Sequence, residues 1–325
     1  MIRKIYHTIR KPVITSGNIV KNFINKPIIV LLYHRVADLK QDPQQLAVSE
    51  NNFRDHLQLI KKSYQILNLG EDWSCSAEPS VVITFDDGYA DNFLNALPIL
   101  EEYEVPATFF VSSGYINRNV EFWWDELERI ILLQSYLPPN FELENDLARR
   151  IWHTGTALGR QLFYHEMHRV LKTIDYQARE KHLEQLRSWA KAGDAARESH
   201  RPLSLAELQS FAQSKYVTIG AHTITHTPLI NQSIDRQYYE IYNSKRQLEK
   251  WLDKEVTLFS YPFGSKKDYC SKTITAIKKI GFKKAVSNFP GQWHVWNEHY
   301  QIPRQLVRNW DRDTFLEKIK DFFVS

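Results

Sequence analysis

Val81-Val82-Ile83-Thr84-Phe85-Asp86-Asp87-Gly88 decides how this chain folds. Five β-branched or aromatic residues read as a buried strand, and two carboxylates and a glycine end it. Adjacent carboxylates at a buried strand end are expensive unless a cation or a proton relieves their repulsion. Side chains alternate along a strand, so the pair need not act alike: one can bind a metal while the other serves as a base. Asp-Asp-Gly alone is also a common turn composition.

Outward from this strand the pattern is α/β. Short β-branched runs at 28–32, 65–67, 107–111, 216–219, 256–261 and 283–286 alternate with amphipathic stretches. Ser49 can cap a helix with Phe53, Leu57 and Ile60 on one face, and Ser204 with Glu207 forms a capping box. Helices are expected near 92–103, 233–252, 268–279 and 311–323. Repeated βα units with functional residues just after strands suggest a barrel, with its site at the C-terminal strand ends.

Two stretches stand apart. From 121 to about 203 helical patterns dominate, with Phe122, Trp123, Leu127, Ile130 and Ile131 on one face, and no strand is expected there. This region reads as a helical insertion that could simply cover one barrel edge. Its Trp123-Trp124 pair could form a sugar platform or pack into a core. Residues 1–26 form a basic arm: Arg3, Lys4, Arg10, Lys11, Lys21 and Lys26 precede the first acid, Asp38, and Ile2, Ile5, Tyr6, Ile9 and Val13 recur at helical spacing. Such an arm can lie on an anionic membrane surface; the alternative is a solvated tail. No run reaches the length of a signal peptide's apolar segment or of a spanning helix.

Composition excludes little else. The chain of 325 residues carries 42 basic and 38 acidic groups, too even a balance for a nucleic-acid footprint. Nine Trp and 16 Tyr suit sugar stacking as well as core packing. Cys75 and Cys270 fit no metal spacing, and two free thiols suit a reducing, cytoplasmic address beside a membrane.

His222-Thr223-Ile224-Thr225-His226 is the second cluster, again directly after an expected strand. Two histidines at i and i+4 would face one way on a helical turn and could ligate a metal jointly. With the strand-end aspartates they make an open, catalytic type of metal site.

These two motifs, in this order and both after strands, resemble the first signatures of the polysaccharide deacetylase family (carbohydrate esterase family 4, the NodB-homology domain). The resemblance covers roughly 27–114 and 204–309. It implies a distorted (β/α) barrel, usually of seven strands, occupying 27–325 here and interrupted by the insertion. It also implies a divalent metal, often zinc, and an N-acetylated glycan as substrate. Carried over residue by residue, it makes Asp86 the general base and Asp87, His222 and His226 the metal ligands.

The third motif departs from the family. Where Arg-x-Pro-Tyr is common, this chain has Ser260-Tyr261-Pro262-Phe263-Gly264. Tyr261, Pro262 and Phe263 would line the site, with the Phe263 N–H facing the oxyanion. The arginine that orients the base is missing, and Arg304, near the end of the expected last strand, is the candidate substitute. A salt bridge at the barrel rim is the other reading of Arg304. The late Leu-x-His motif is not evident either. Leu32-Tyr33-His34-Arg35-Val36 resembles the opening motif of the subgroup that deacetylates poly-N-acetylglucosamine, in which the early histidine is the general acid. His34 is therefore expected as the acid, with His294 and His299 as alternatives.

The expected activity is hydrolysis of the N-acetyl group of an amino sugar. A catalytically inactive carbohydrate-binding protein on the same fold is the alternative. A phosphoesterase would need further carboxylates or histidines for a second metal.

Overall fold

Ile28–Tyr33 (β1) is apolar and buried along its whole length, as a strand covered on both faces must be. The computed structural model describes residues 18, 21–74, 78–145, 148–193 and 195–324. Beyond β1 the chain runs through Arg35–Val36 (β2), Ala47–Val48 (β3), Glu50–Ser63 (α1), Gln65–Ile66 (β4), Ser80–Phe85 (β5), Leu97–Tyr103 (α2) and Ala107–Val111 (β6). Next come Trp123–Ile131 (α3), Asn140–Asn145 (β7), Ala148–His153 (β8), Ala157–Thr173 (α4), Tyr176–Ala190 (α5) and Leu205–Phe211 (α6). Val217–Ala221 (β9), Ile234–Leu252 (α7), Leu258–Ser260 (β10), Ser271–Ile280 (α8), Lys284–Val286 (β11), Gln305–Leu306 (β12) and Arg312–Val324 (α9) complete it.

Seven parallel strands pair in the order β11-β10-β9-β6-β5-β1-β12, with β4 beside β5. The segment leading into β12 draws the two edges together. Ile302 pairs with Val286 of β11, and three residues later Gln305 pairs with Leu31 of β1. The sheet is thus a distorted (β/α) barrel of seven strands. Its core is aromatic around β5, where the Phe85 ring stacks on Phe109 at 4.6 Å and on Tyr33 at 5.3 Å. Gly220 in β9 makes room for Phe110, whose side chain belongs to a separate core cluster: a Cβ there would meet the Phe110 ring at 2.5 Å.

The region expected to be wholly helical is not. Asn140–Asn145 and Ala148–His153 form an antiparallel hairpin between α3 and α4. Phe141-Glu142-Leu143-Glu144 alternates with period two, a strand signal that the surrounding helical periodicity obscured. Phe122, Trp123, Trp124, Phe163 and Leu183 give this region a core of its own. Of the basic arm, residues 1–17, 19 and 20 lie outside the described residues. Among the described residues, no helix is long and apolar enough to cross a membrane.

α9 returns along β1 and locks onto α1 through His56. The His56 ring stacks on Phe315 at 3.8 Å, its Nε2 lies 2.8 Å from the Trp310 carbonyl, and Tyr33 Oη lies 3.2 Å from Nδ1. Burial holds this imidazole down to about 4. The folded protein keeps it neutral while the unfolded chain protonates, so its contribution is whole above about pH 6.5 and is lost as pH falls toward about 4. Urea denaturation should find that His56→Phe loses less stability than wild type between about pH 6.5 and 4.5, by about 2–3 kcal/mol. Identical pH dependence in the two proteins would contradict this.

Candidate active site

Asp86 leaves β5 in register with the end of β1, donating its N–H to the Tyr33 carbonyl at 3.1 Å. Asp87 then adopts φ +80°, which turns its carboxylate away from its neighbour's course. The two buried acids accordingly meet different partners. Asp86 accepts from Arg304 in a fork, Nη1 to Oδ1 at 2.7 Å and Nη2 to Oδ2 at 2.6 Å. Asp87 Oδ1 instead lies 3.2 Å from His226 Nε2 and 3.6 Å from His222 Nε2.

Arg304 is 1% exposed and uses every donor it has. Nε donates to the Ser287 carbonyl at 2.7 Å, Nη1 also reaches Thr84 Oγ1 at 3.2 Å, and Nη2 reaches Ser260 Oγ at 2.9 Å. Ser260, standing where the family often has arginine, donates a hydrogen bond from its hydroxyl to Asp86 Oδ2 at 3.1 Å. Arg304 comes just before β12 rather than near the end of the strand, and it projects from the segment that closes the barrel. It is a buried partner of Asp86, not a rim salt bridge. Burial is the largest single influence on Asp86 and would raise its pKa, but the charges of Arg304 and His222 and the Arg304 hydrogen bonds together outweigh it and hold the carboxyl below its ordinary range.

Residues 222–226 are not a helical turn. The chain leaves β9 as an irregular bend in which Thr223 (φ +63°) and His226 (φ +49°) are left-handed. That conformation costs a non-glycine residue about 1–2 kcal/mol. Fixed partners hold it: Glu240 accepts from the Ile224 and Thr225 N–H groups at 2.9 Å, and Ser113 and Gly114 donate to the Thr223 and Ile224 carbonyls at 3.1 and 3.0 Å. At Gly114 a Cβ would meet Ile224 at 2.6 Å, so only glycine permits this approach. The bend, not helical spacing, turns both histidine Nε2 atoms toward Asp87.

The donor set fits a divalent metal. One ligand atom from each of Asp87, His222 and His226 lies within 4.8 Å of the others, and all three residues are buried. His222 Nδ1 is 2.8 Å from the Ser260 carbonyl, which assigns the proton to Nδ1 and leaves the Nε2 lone pair free. Burial lowers the His226 pKa to about 4, so it too is an unprotonated ligand. Burial acts the same way on His222, but Asp86 and Asp87 outweigh it and raise that pKa. Asp87 is held far below the carboxylate range, its burial outweighed by the two histidines beside it.

His34 follows β1, level with Asp86 across the sheet, and remains partly exposed. Burial lowers its pKa, against the pull of Asp87 and Asp86. The late histidines lie elsewhere. The His294 ring stacks on Trp296 and the His299 ring lies against Trp293, whose backbone pairs with Ile28 at the opposite end of β1.

From the third motif, the Phe263 ring sits 4.8 Å from His226, and among the described residues its backbone N–H has no partner. Pro262 is buried beside it. The Tyr261 ring is not brought to the site; it stacks on Tyr269 at 3.9 Å and donates to the Tyr300 carbonyl at 2.8 Å. Trp123 and Trp124 are buried at 1% and 4% exposure and form no open sugar platform.

A second buried cluster, Asp125, Glu128 and His200, adjoins the site. Cations already serve it: Arg197 donates to Glu128 at 3.0 Å and to the Asp125 carbonyl at 2.8 Å, and Arg35 pairs with nearby Asp91 at 2.9 Å. Burial pushes Asp125 up to about 7, and Tyr89 donates to it at 2.6 Å. This is an ion-pair layer beneath the site. Sequence reasoning missed it, as it missed Glu240 and Tyr89, although Tyr89 directly follows Asp86-Asp87-Gly88.

A family model, polysaccharide deacetylase, matches residues 74–285. The chain is 28% identical over 270 residues to the Bacillus subtilis (strain 168) protein YxkH, a polysaccharide deacetylase by name. That match covers 81% of this chain and 64% of YxkH, so the chain spans under two thirds of that relative's length. Among solved structures, IcaB from Ammonifex degensii is similar with a TM-score of 0.60 at 15% identity, over 92% of this chain and 97% of that one. The Streptococcus pyogenes deacetylase PplD in complex with acetate gives 0.57 at 18% identity, over 90% and 98%. These likenesses establish a shared fold. The family match spans well over half of the sequence, and the chain belongs to the polysaccharide deacetylase family.

Proposed function

We propose that this protein hydrolyses the N-acetyl group of an amino sugar in a polysaccharide or glycan intermediate, and that it depends on a divalent metal, zinc by its donor set. The observation that carries the reading is the division of labour between the two aspartates. Asp87 faces both histidine nitrogens, at 3.2 and 3.6 Å, whereas Asp86 is forked by two of Arg304's hydrogen bonds and comes near only His222, at 3.8 Å. Intact ligands and an intact base favour an enzyme over an inactive binding protein on the same fold.

Asp87, His222 and His226 would hold the ion, which would supply Lewis acidity toward the acetyl carbonyl and an attacking water. Asp86 is placed to take the proton that the attacking water loses as its oxygen bonds to the carbonyl carbon. The free Phe263 N–H donates to the oxyanion. His34 then gives a proton to the amide nitrogen as the carbon–nitrogen bond breaks, releasing acetate and the free amine. Its lowered pKa makes the protonated form a stronger donor and a rarer one. Arg304 and Ser260 keep the base aimed and ionised.

The exposed Phe23 and Ile24, beside Lys21 and Lys26, extend the basic arm's mixed apolar and cationic character and support its contact with an anionic membrane. Removing residues 1–17 should abolish co-sedimentation with anionic vesicles; unchanged co-sedimentation would rule that contact out.

Two further measurements test the chemistry. Acetate release from N-acetylglucosamine oligomers should stop with a chelator, return with zinc, and fall by about 10²–10⁴ in both Asp86→Asn and His34→Ala. Release that ignores the chelator would refute metal dependence, and full activity in His34→Ala would refute its role as acid. Arg304→Met strands a buried carboxylate and should cost about 3–5 kcal/mol in urea denaturation. Adding Asp86→Asn to it should recover part of that loss, and strictly additive losses would contradict the pairing.

A further inference from the structure

His222 and His226 are supported unequally. A metal-ligating imidazole ordinarily donates its second nitrogen's proton to a fixed acceptor, which sets the ring's orientation. His222 has this in the Ser260 carbonyl, but His226 Nδ1 is buried with no hydrogen-bond partner. His226 is also the left-handed end of the bend, so its own backbone does not favour the ligating pose.

The insertion reaches His226 directly and through Phe263. The Trp124 ring of α3 meets the imidazole at 4.7 Å and 62°, and the Phe263 ring meets it at 4.8 Å and 65°. Phe263 is itself held by the insertion: Lys172 of α4 lies over its ring at 4.2 Å and pairs with Asp268 at 3.0 Å. The barrel and α7 hold the Thr223 and Ile224 carbonyls and the Ile224 and Thr225 N–H groups. The Thr225 carbonyl, which forms the peptide bond to His226, is held instead by Arg179 Nη2 of α5 at 2.8 Å.

Arg179 is an unusual residue for this work. It is wholly buried, has no carboxylate partner among the described residues, and leaves Nε and Nη1 unpaired, with the Trp123 ring 5.4 Å from its guanidinium carbon. Burying a cation without a counter-charge opposes stability. Such a group is better explained by what it positions than by what it stabilises.

We infer that the insertion is part of the metal site, with Arg179 as a positioning residue that sets the His226 peptide and thereby does for His226 what the Ser260 carbonyl does for His222. This rests on the reading that Asp87, His222 and His226 hold a metal. Trp124 and Phe263 confine the ring, and Arg179 fixes the backbone from which it projects. The insertion is then more than a cover for one barrel edge.

The test compares wild type, Arg179→Met, Arg179→Lys and Trp124→Leu by two readouts: zinc affinity of the chelator-stripped proteins by competition with a chromogenic chelator, and melting temperature of the same metal-free proteins. Arg179→Met should weaken zinc binding about tenfold to hundredfold with no drop in metal-free melting temperature, and Arg179→Lys should recover part of the affinity. Should Arg179→Met fail to fold, Trp124→Leu carries the same expectation for zinc through the ring rather than the backbone. Variants that bind zinc as tightly as wild type overturn this inference alone. Affinity that falls only in step with metal-free melting temperature overturns it too, by making the role purely structural. A wild type that takes up no zinc overturns this inference together with the metal reading beneath it.

Discussion

Two carboxylates follow one another at the buried end of a strand, and the surrounding structure is arranged to keep both ionised. Asp86 and Asp87 are each under 5% exposed. Left alone they would repel, and one would hold a proton. The chain separates them instead. A left-handed turn at Asp87 gives that acid two imidazoles, and a guanidinium from the far end of the sequence takes the other. Barrel closure serves the same end, because the segment that joins β11 to β1 is the one that carries Arg304.

Arg304 and Ser260 together explain how the site tolerates losing the arginine expected in the third motif. A serine is too short to hold a carboxylate alone, but it can accept from Arg304 while donating to Asp86. Asp86 is gripped from the segment just before the last strand rather than from the strand that bears the motif. Arg35, Arg197, Asp91, Glu128 and Asp125, whose pKa burial pushes up to about 7, form an ion-pair layer reached through Tyr89, to which Trp124 donates at 2.7 Å. Packing and hydrogen bonds thus link the barrel's site to the insertion.

Much of this was legible in the residues. Strand runs such as Val81 to Phe85 and caps at Ser49 and Ser204 are local signals, and each forms where it was expected. The convergence of Asp86, Asp87, His222 and His226 followed from motifs placed after strands. What stayed hidden depends on long-range geometry. The 222–226 bend mimics helical spacing but is shaped by Glu240 and Gly114, which lie outside the motif. Arg304 read equally well as a rim residue until the closing seam turned it inward. Arg179 carries no sequence signal, being one cation among several on a helix, and only its burial sets it apart. The β7–β8 hairpin was readable in the alternation after Pro138-Pro139 and was outweighed by its helical surroundings.

The account's central claim is that the metal belongs to Asp87, His222 and His226 while Asp86 remains with Arg304. A zinc-soaked crystal, with an anomalous difference map collected at the zinc edge, tests it most directly. The account predicts one strong peak, about 2.0–2.2 Å from an Asp87 oxygen and from both histidine Nε2 atoms, with the Asp86–Arg304 fork intact. A peak among Asp125, Glu128 and His200, or one bound by Asp86 with Arg304 displaced, would contradict it.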